Sequence, residues 1–152
     1  MSKRIWTLAF AILFCLPPLG FSASFNVYPG AKVDGVYETK QPQPAGKIPK
    51  TSKEIVFTTP DPFESVVAFY SGIAREYRIP GRTGRATRLS SGEELKEAYF
   101  IFDNAPDIMT SKHWIKIQHP YLGKDQPKEI FGKYGTTREV TAIIEEDKRS
   151  YP

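Results

Sequence analysis

The sequence predicts an α+β fold: one main helix packed on one face of a mainly antiparallel sheet of four or five strands. Three observations carry this. The stretch "TTPDPFESVVAFY", residues 58–70, opens a helix and then places apolar residues at helical spacing. "EIVFTT", "AYFIF", "HWIKIQ" and "TTREVTAIIEE" are short runs rich in β-branched and aromatic residues, and several alternate with a period of two. Turn formers separate the elements, notably Pro29-Gly30 and the "NAPD" of Asn104–Asp107.

The elements follow in order. Lys3 and Arg4 precede an uncharged run from Ile5 to Leu16, and Pro17, Pro18, Gly20, Ser22, Ala23 and Ser24 come next. This is the order of a secretory signal peptide, predicted over residues 1–24. The run of 12 residues is short of the roughly 20 that a membrane-spanning helix needs, although retention as an uncleaved anchor is the alternative. Cleavage after Ser22 or Ser24 puts small residues at both −1 and −3, whereas cleavage after Ala23 puts Phe21 at −3. Cys15, the single cysteine, leaves with the segment, and Phe14 before it does not suit lipidation. The remaining chain, 25–152, is then one domain with neither a disulfide nor a thiol nucleophile, and it must be held by its core.

A turn at Pro29-Gly30 leads to a short strand near 31–37, weakened or bulged at Gly35. Residues 39–53, with Pro42, Pro44 and Pro49, read as a loop, and 54–59 as a strand with Ile55 and Phe57 on one face. Asp61 is the expected N-cap, Pro62 the first helical residue and Glu64 the partner of a capping box. Phe63, Val66, Val67, Tyr70, Ile73 or Ala74, and Tyr77 form the stripe of a helix ending before Ile79-Pro80-Gly81. The stripe is core, not a cofactor or partner groove. Ser91 with Glu94 predicts a short second helix through Glu97, followed by a buried strand at 98–102. In 113–118, Ile115 and Ile117 face inward while Trp114, Lys116 and Gln118 take the other face. After a loop from His119 to Gly135, the last strand carries Val140, Ala142 and Ile144 on one face, and the charged tail frays.

No catalytic constellation is legible. "GRTGRATR", 81–88, lacks the Gly-Lys-Ser/Thr ending of a phosphate loop. Asp107, Ser111 and His113 are neighbours in sequence without nucleophile-elbow glycines. His113 and His119 stand about 20 Å apart along one strand, so they cannot chelate one ion together; no metal and no cofactor is expected.

What stands out is charge segregation. Losing Lys3 and Arg4 takes the formal charge from +4 to +2. Yet Arg75–Arg88 holds five arginines and one glutamate, and Thr39–Lys53 holds four lysines and no acid. The basic loops at 39–53 and 78–90 therefore sit in an otherwise acidic domain. Arg78, Arg82, Arg85 and Arg88 are the expected anion-binding edge, with Gly81 and Gly84 letting backbone approach a ligand. A further cluster, Tyr121, Lys124, Lys128, Phe131, Lys133 and Tyr134, reads as rings anchoring a loop.

"VYPGAK", "FTTPDPFESVVAFY", "AYFIFDNAPDIMTSKHWIKIQHP" and "REVTAII" together resemble a group of small exported bacterial proteins of unknown function. The pattern covers most of residues 25–152 and implies an exported single domain, with no catalytic residue to carry over. The expectation is a periplasmic or secreted, non-enzymatic protein that binds an anionic component or a protein of the cell envelope, with no nucleic-acid partner and no integral membrane domain. Two alternatives stay open. One is a small hydrolase built on His113, Asp103 or Asp107. The other is a subunit of an envelope complex that docks through Trp114, Lys116 and Gln118.

Overall fold

The computed structural model describes residues 24–41, 50–89, 92–123 and 137–149. All but Ser24 of the predicted signal segment, the Pro42–Pro49 part of the basic loop, Ser91, and Lys124, Lys128, Phe131, Lys133 and Tyr134 lie outside the described residues.

Seven strands and one helix follow in the order β1 (Lys32–Gln41), β2 (Lys50–Thr59), α1 (Phe63–Ser71), β3 (Arg75–Tyr77), β4 (Ala86–Arg88), β5 (Glu94–Ile101), β6 (His113–His119) and β7 (Thr141–Asp147). They form one antiparallel sheet in the order β1-β2-β7-β6-β5-β3, with β4 also on β5. The α+β expectation holds; the strands number seven instead of four or five.

Three places differ from the expectation, and two of them add a strand, β3 and β4. β1 and β2 pair from Lys32↔Thr58 to Gln41↔Lys50, so both ends of the supposed 39–53 loop are strand. Repeated ladder bonds outweigh the low apolar content of these segments. The expected irregularity at Gly35 is present as a register shift between Val33 and Gly35. The second is β3, carved from the predicted end of the helix. α1 stops at Ser71, whose hydroxyl donates back to the Val67 carbonyl (2.8 Å), and Gly72 closes the turn. Arg75–Tyr77 then pairs with β5. The third is the region from Ser91 to Glu97, predicted helical. Gly92 at φ +88° and the Leu89–Glu93 bonds make a turn, and Glu94–Arg88 begin a β4–β5 ladder instead. Leu95, Glu97 and Tyr99 on one face against Ala98 and Phe100 on the other show the strand period.

The helix start also differs in detail. Pro62 occupies the N-cap position with no side-chain cap bond, and its carbonyl accepts from Ser65 and Val66 N–H. The Asp61 carboxylate turns instead to the Tyr28 hydroxyl, whose pKa it raises.

α1 covers β5 and β6. Its Phe63, Val66, Val67 and Tyr70 pack on Phe57, Phe100, Ile115, Ile117 and Ile143 from the sheet. This is the stripe read from sequence, and it is core. Phe25, from the segment before β1, enters the same cluster. Its ring stacks on Tyr70 (6.0 Å, 2°) and stands edge-on to Phe102 (5.6 Å, 85°). A smaller cluster, Val56, Tyr121, Ala142 and Ile144 with Tyr37 and Val140, lies on the opposite face. Tyr121 is the anchor expected of it: it is buried, bridges to Arg138, and its hydroxyl is pushed up to about 12 by burial.

Phe25 is half-buried, so Phe25→Ala should destabilise by about 2–3 kcal/mol, below the 3–5 of a fully enclosed phenylalanine. Val33, 60% exposed, should tolerate alanine within about 0.5 kcal/mol. Urea unfolding of the two variants checks both.

Candidate functional site

β3 and β4 both pair with the same edge of β5, one beside Tyr99–Ile101 and the other beside Glu94–Lys96. The chain between them has to bulge away from the edge, and the bulge is the arginine loop. Gly81 (φ +80°) and Gly84 (φ +81°) take the left-handed backbone the bulge needs, and the Glu97 N–H returns to the Arg85 carbonyl at 2.7 Å. A cleft of about 330 Å³ results, lined among others by Arg78, Arg82, Arg85, Lys96, Tyr77 and Tyr99.

The structure brings together Arg78, Arg82 and Arg85 but leaves Arg88 out of the lining. It also places carboxylates among them. Arg85 holds Glu76 through two parallel bonds of 2.9 Å and approaches Glu64 at 3.9 Å. Arg82 donates to Glu97 at 2.7 Å and to the Thr87 hydroxyl at 2.6 Å. These carboxylates raise the pKa of both guanidinium groups. Lys96 reaches Glu64 at 3.6 Å. Four cations thus face three carboxylates around the cleft. Arg78 is exposed and forms no ion pair with a described residue. The loop charge that segregates in sequence is largely matched in space.

Trp114, Lys116 and Gln118 do share the face opposite the helix, as their alternation implies. They are not equally available. Gln118 is buried, bonded to Glu97 (3.4 Å) and the Leu122 N–H (3.3 Å). Lys116 points to Glu97 at 3.8 Å, and half-buried Trp114 lies against Tyr99 with ring centroids 6.3 Å apart. Glu97, 11% exposed at its side chain, is therefore the hub joining this face to the arginine loop. Burial, reinforced by Glu97, raises the Tyr99 hydroxyl pKa.

The three residues of the hydrolase alternative serve other ends. Burial pushes the Asp103 carboxyl up, but bonds from the Lys112 N–H (2.7 Å), the Ala105 N–H (3.2 Å) and the Ser111 hydroxyl (3.0 Å) outweigh it and hold its pKa low. Asp107 caps its own turn through Thr110, which lowers its pKa too. His113 is fully buried, with Nε2 at 2.9 Å from Glu145 Oε1. The Ser111 hydroxyl has Asp103 and the His113 carbonyl as its acceptors, each at 3.0 Å, and not the ring. No nucleophile–base pair forms among the described members of the Asp107, Ser111, His113 set.

Reading the sequence missed Glu64, Glu76, Lys96 and Glu97 as cleft residues. Glu97 was hidden by the helix expectation for 91–97. Period-two spacing signals it only once 94–101 is taken as a strand. Likewise Glu145 and Asp147, which stand beside His113, are two residues apart on β7, and only the β6–β7 register aligns them.

The Arg85–Glu76 pair is part-exposed at both ends, so a double-mutant cycle with Arg85→Gln and Glu76→Gln should return a coupling of about 0.5–1 kcal/mol. The coupling should shrink in about 1 M salt. Asp103→Ala should cost about 1–3 kcal/mol, because it strands the Lys112 and Ala105 amides. Both are read by chemical unfolding.

No family model, curated protein or solved structure matches the chain.

Proposed function

We propose that this is an exported, non-enzymatic binding protein of the cell envelope that takes an anionic ligand, phosphate- or carboxylate-bearing, at the cleft between β3 and β4. One observation carries the reading. Arg82, Arg85 and Lys96 are held in place by carboxylates from the helix and from β3 and β5, and Arg78 adds a cation that no described carboxylate answers. A guanidinium fixed in this way is oriented before a ligand arrives, so less side-chain entropy is lost on binding. Tyr77 and Tyr99 line the same cleft and offer flat apolar surface beside the charges. Export rests on the charged start, apolar run and small-residue end of residues 1–24. The non-enzymatic reading is supported by the structural employment of Asp103, Asp107 and His113.

The test is retention of the protein on anionic envelope fractions at about 0.05 M and about 0.5 M salt, where screening differs severalfold. The expected result is retention at low salt that is lost at high salt. Arg78→Gln should weaken it about two- to fivefold, the worth of one exposed charge contact, while Arg88→Gln, outside the cleft, should leave it unchanged. Equal effects of the two variants would reduce the cleft to a general basic surface. Salt-resistant retention of one protein would favour docking through the Trp114 face.

A further inference from the structure

On the helix side of the sheet, the apolar rows end in polar residues at one corner. Along β6 the inward positions run Ile117, Ile115, His113; along β7 they run Ile143, Glu145, Asp147. His113 stands opposite Asp147 in the ladder, and Glu145 lies two residues back on the same face. One donor atom from each of the three lies within 4.8 Å of the others.

Two further observations point beyond a structural ion pair. First, His113 is 0% exposed and walled by the rings of Phe102 (5.0 Å) and Phe25 (5.9 Å). Its Nδ1 is buried and has no hydrogen-bond partner among the described residues, so the polar contact of the ring runs from Nε2 to Glu145. Packing alone does not call for an imidazole there, since an apolar ring would leave no orphaned nitrogen. Second, the corner holds more acids than bases. Glu145, Asp147 and Asp103 face it, against Arg149, bound to Asp147 at 3.0 Å and 2.8 Å, and Lys53, which stands opposite Asp147 in the β2–β7 ladder. Lys148 is drawn away to Glu146, on the opposite face, at 3.1 Å.

We propose that His113, Glu145 and Asp147 form a binding site for a divalent transition metal ion, Zn²⁺ by its chemistry. One imidazole nitrogen and two carboxylate oxygens match a borderline ion of three protein ligands with a fourth position open. Calcium and magnesium fit poorly, because they require more oxygen donors than the corner supplies. Ligand atoms about 2.0–2.2 Å from a tetrahedral zinc lie about 3.4 Å from one another. Separations of up to 4.8 Å in the cluster must therefore close, while the 2.9 Å between His113 Nε2 and Glu145 Oε1 must open. The two carboxylates supply these movements through their rotamers, Asp147 releasing Arg149, while buried His113 stays fixed. The ion enters from the Asp147 side, where the side chain is 22% exposed. Binding places the imidazole proton on Nδ1, and the lack of an acceptor there weakens the site about 10–100-fold against one with a full outer shell. The ion would tie β6 to β7 at the corner where Phe25 closes the core.

The experiment uses the full chain, stripped with chelator, titrated with Zn²⁺ by calorimetry and with Co²⁺ by visible absorption. The expected result is one ion per chain, with intense d–d bands of a low-coordinate site. Asp147→Asn should weaken binding at least about tenfold while melting as a folded protein, and Glu146→Gln, on the opposite face, should bind as the parent does. Absence of binding at about a hundred times micromolar metal overturns the proposal. So does undiminished binding by Asp147→Asn, which would put the ion elsewhere.

Discussion

The fold depends on one ring. Tyr70 is fully buried at the end of a helix of nine residues, and three parts of the chain meet on it. Phe25 stacks on one side, Phe102 and Phe69 stand edge-on to it, and Phe100 meets it from the sheet. Its hydroxyl donates to the Asn26 carbonyl at 3.1 Å, so the one polar atom of the ring fastens the N-terminal segment. Burial raises its pKa well above the usual phenol value, which keeps it a donor. A helix this short covers only part of a seven-stranded sheet. Aromatic area makes up the difference, because each ring buries far more surface than an aliphatic side chain. The interior closes over β5 and β6 through this cluster, without a disulfide.

The same economy of elements shapes the polar half of the molecule. With no second helix over the opposite face among the described residues, polar side chains there must answer one another. Glu97 does this for Arg82, Lys116 and Gln118 at once. The arginine loop owes its shape to these carboxylates as much as to its glycines. A charge run that looks unpaired along the chain is threaded with acids from the helix, β3 and β5. The net field it casts is weaker and more local than composition implies.

Much of this was legible in the residues. The apolar stripe of 63–70, the turn at Pro29-Gly30, the irregularity at Gly35 and the inward pair Ile115 and Ile117 each follow from spacing, and each appears. What failed was local signal overruled by pairing. Ile73, Ala74 and Tyr77 continue a helical period, yet Gly72 and the open edge of β5 turn the chain into β3. Ser91 and Glu94 carry the letters of a capping box, but Leu95 and Ala98 are buried on opposite faces, as only a strand between two neighbours allows. The arginines were found because charge is visible in composition. Their glutamates were not, because Glu64, Glu76 and Glu97 reach the cleft only through the register of a sheet. The His113 corner was missed for the same reason: its members are 32 and 34 positions apart, with no spacing motif to join them.

Phe25 also makes the core depend on the segment that precedes the sheet. Its ring is part of the interior, stacked on Tyr70 and edge-on to Phe102 and His113. The carbonyl of the next residue, Asn26, accepts from the Tyr70 hydroxyl. The residues before β1 are therefore a working part of the domain: losing them would remove a core ring, not a tail.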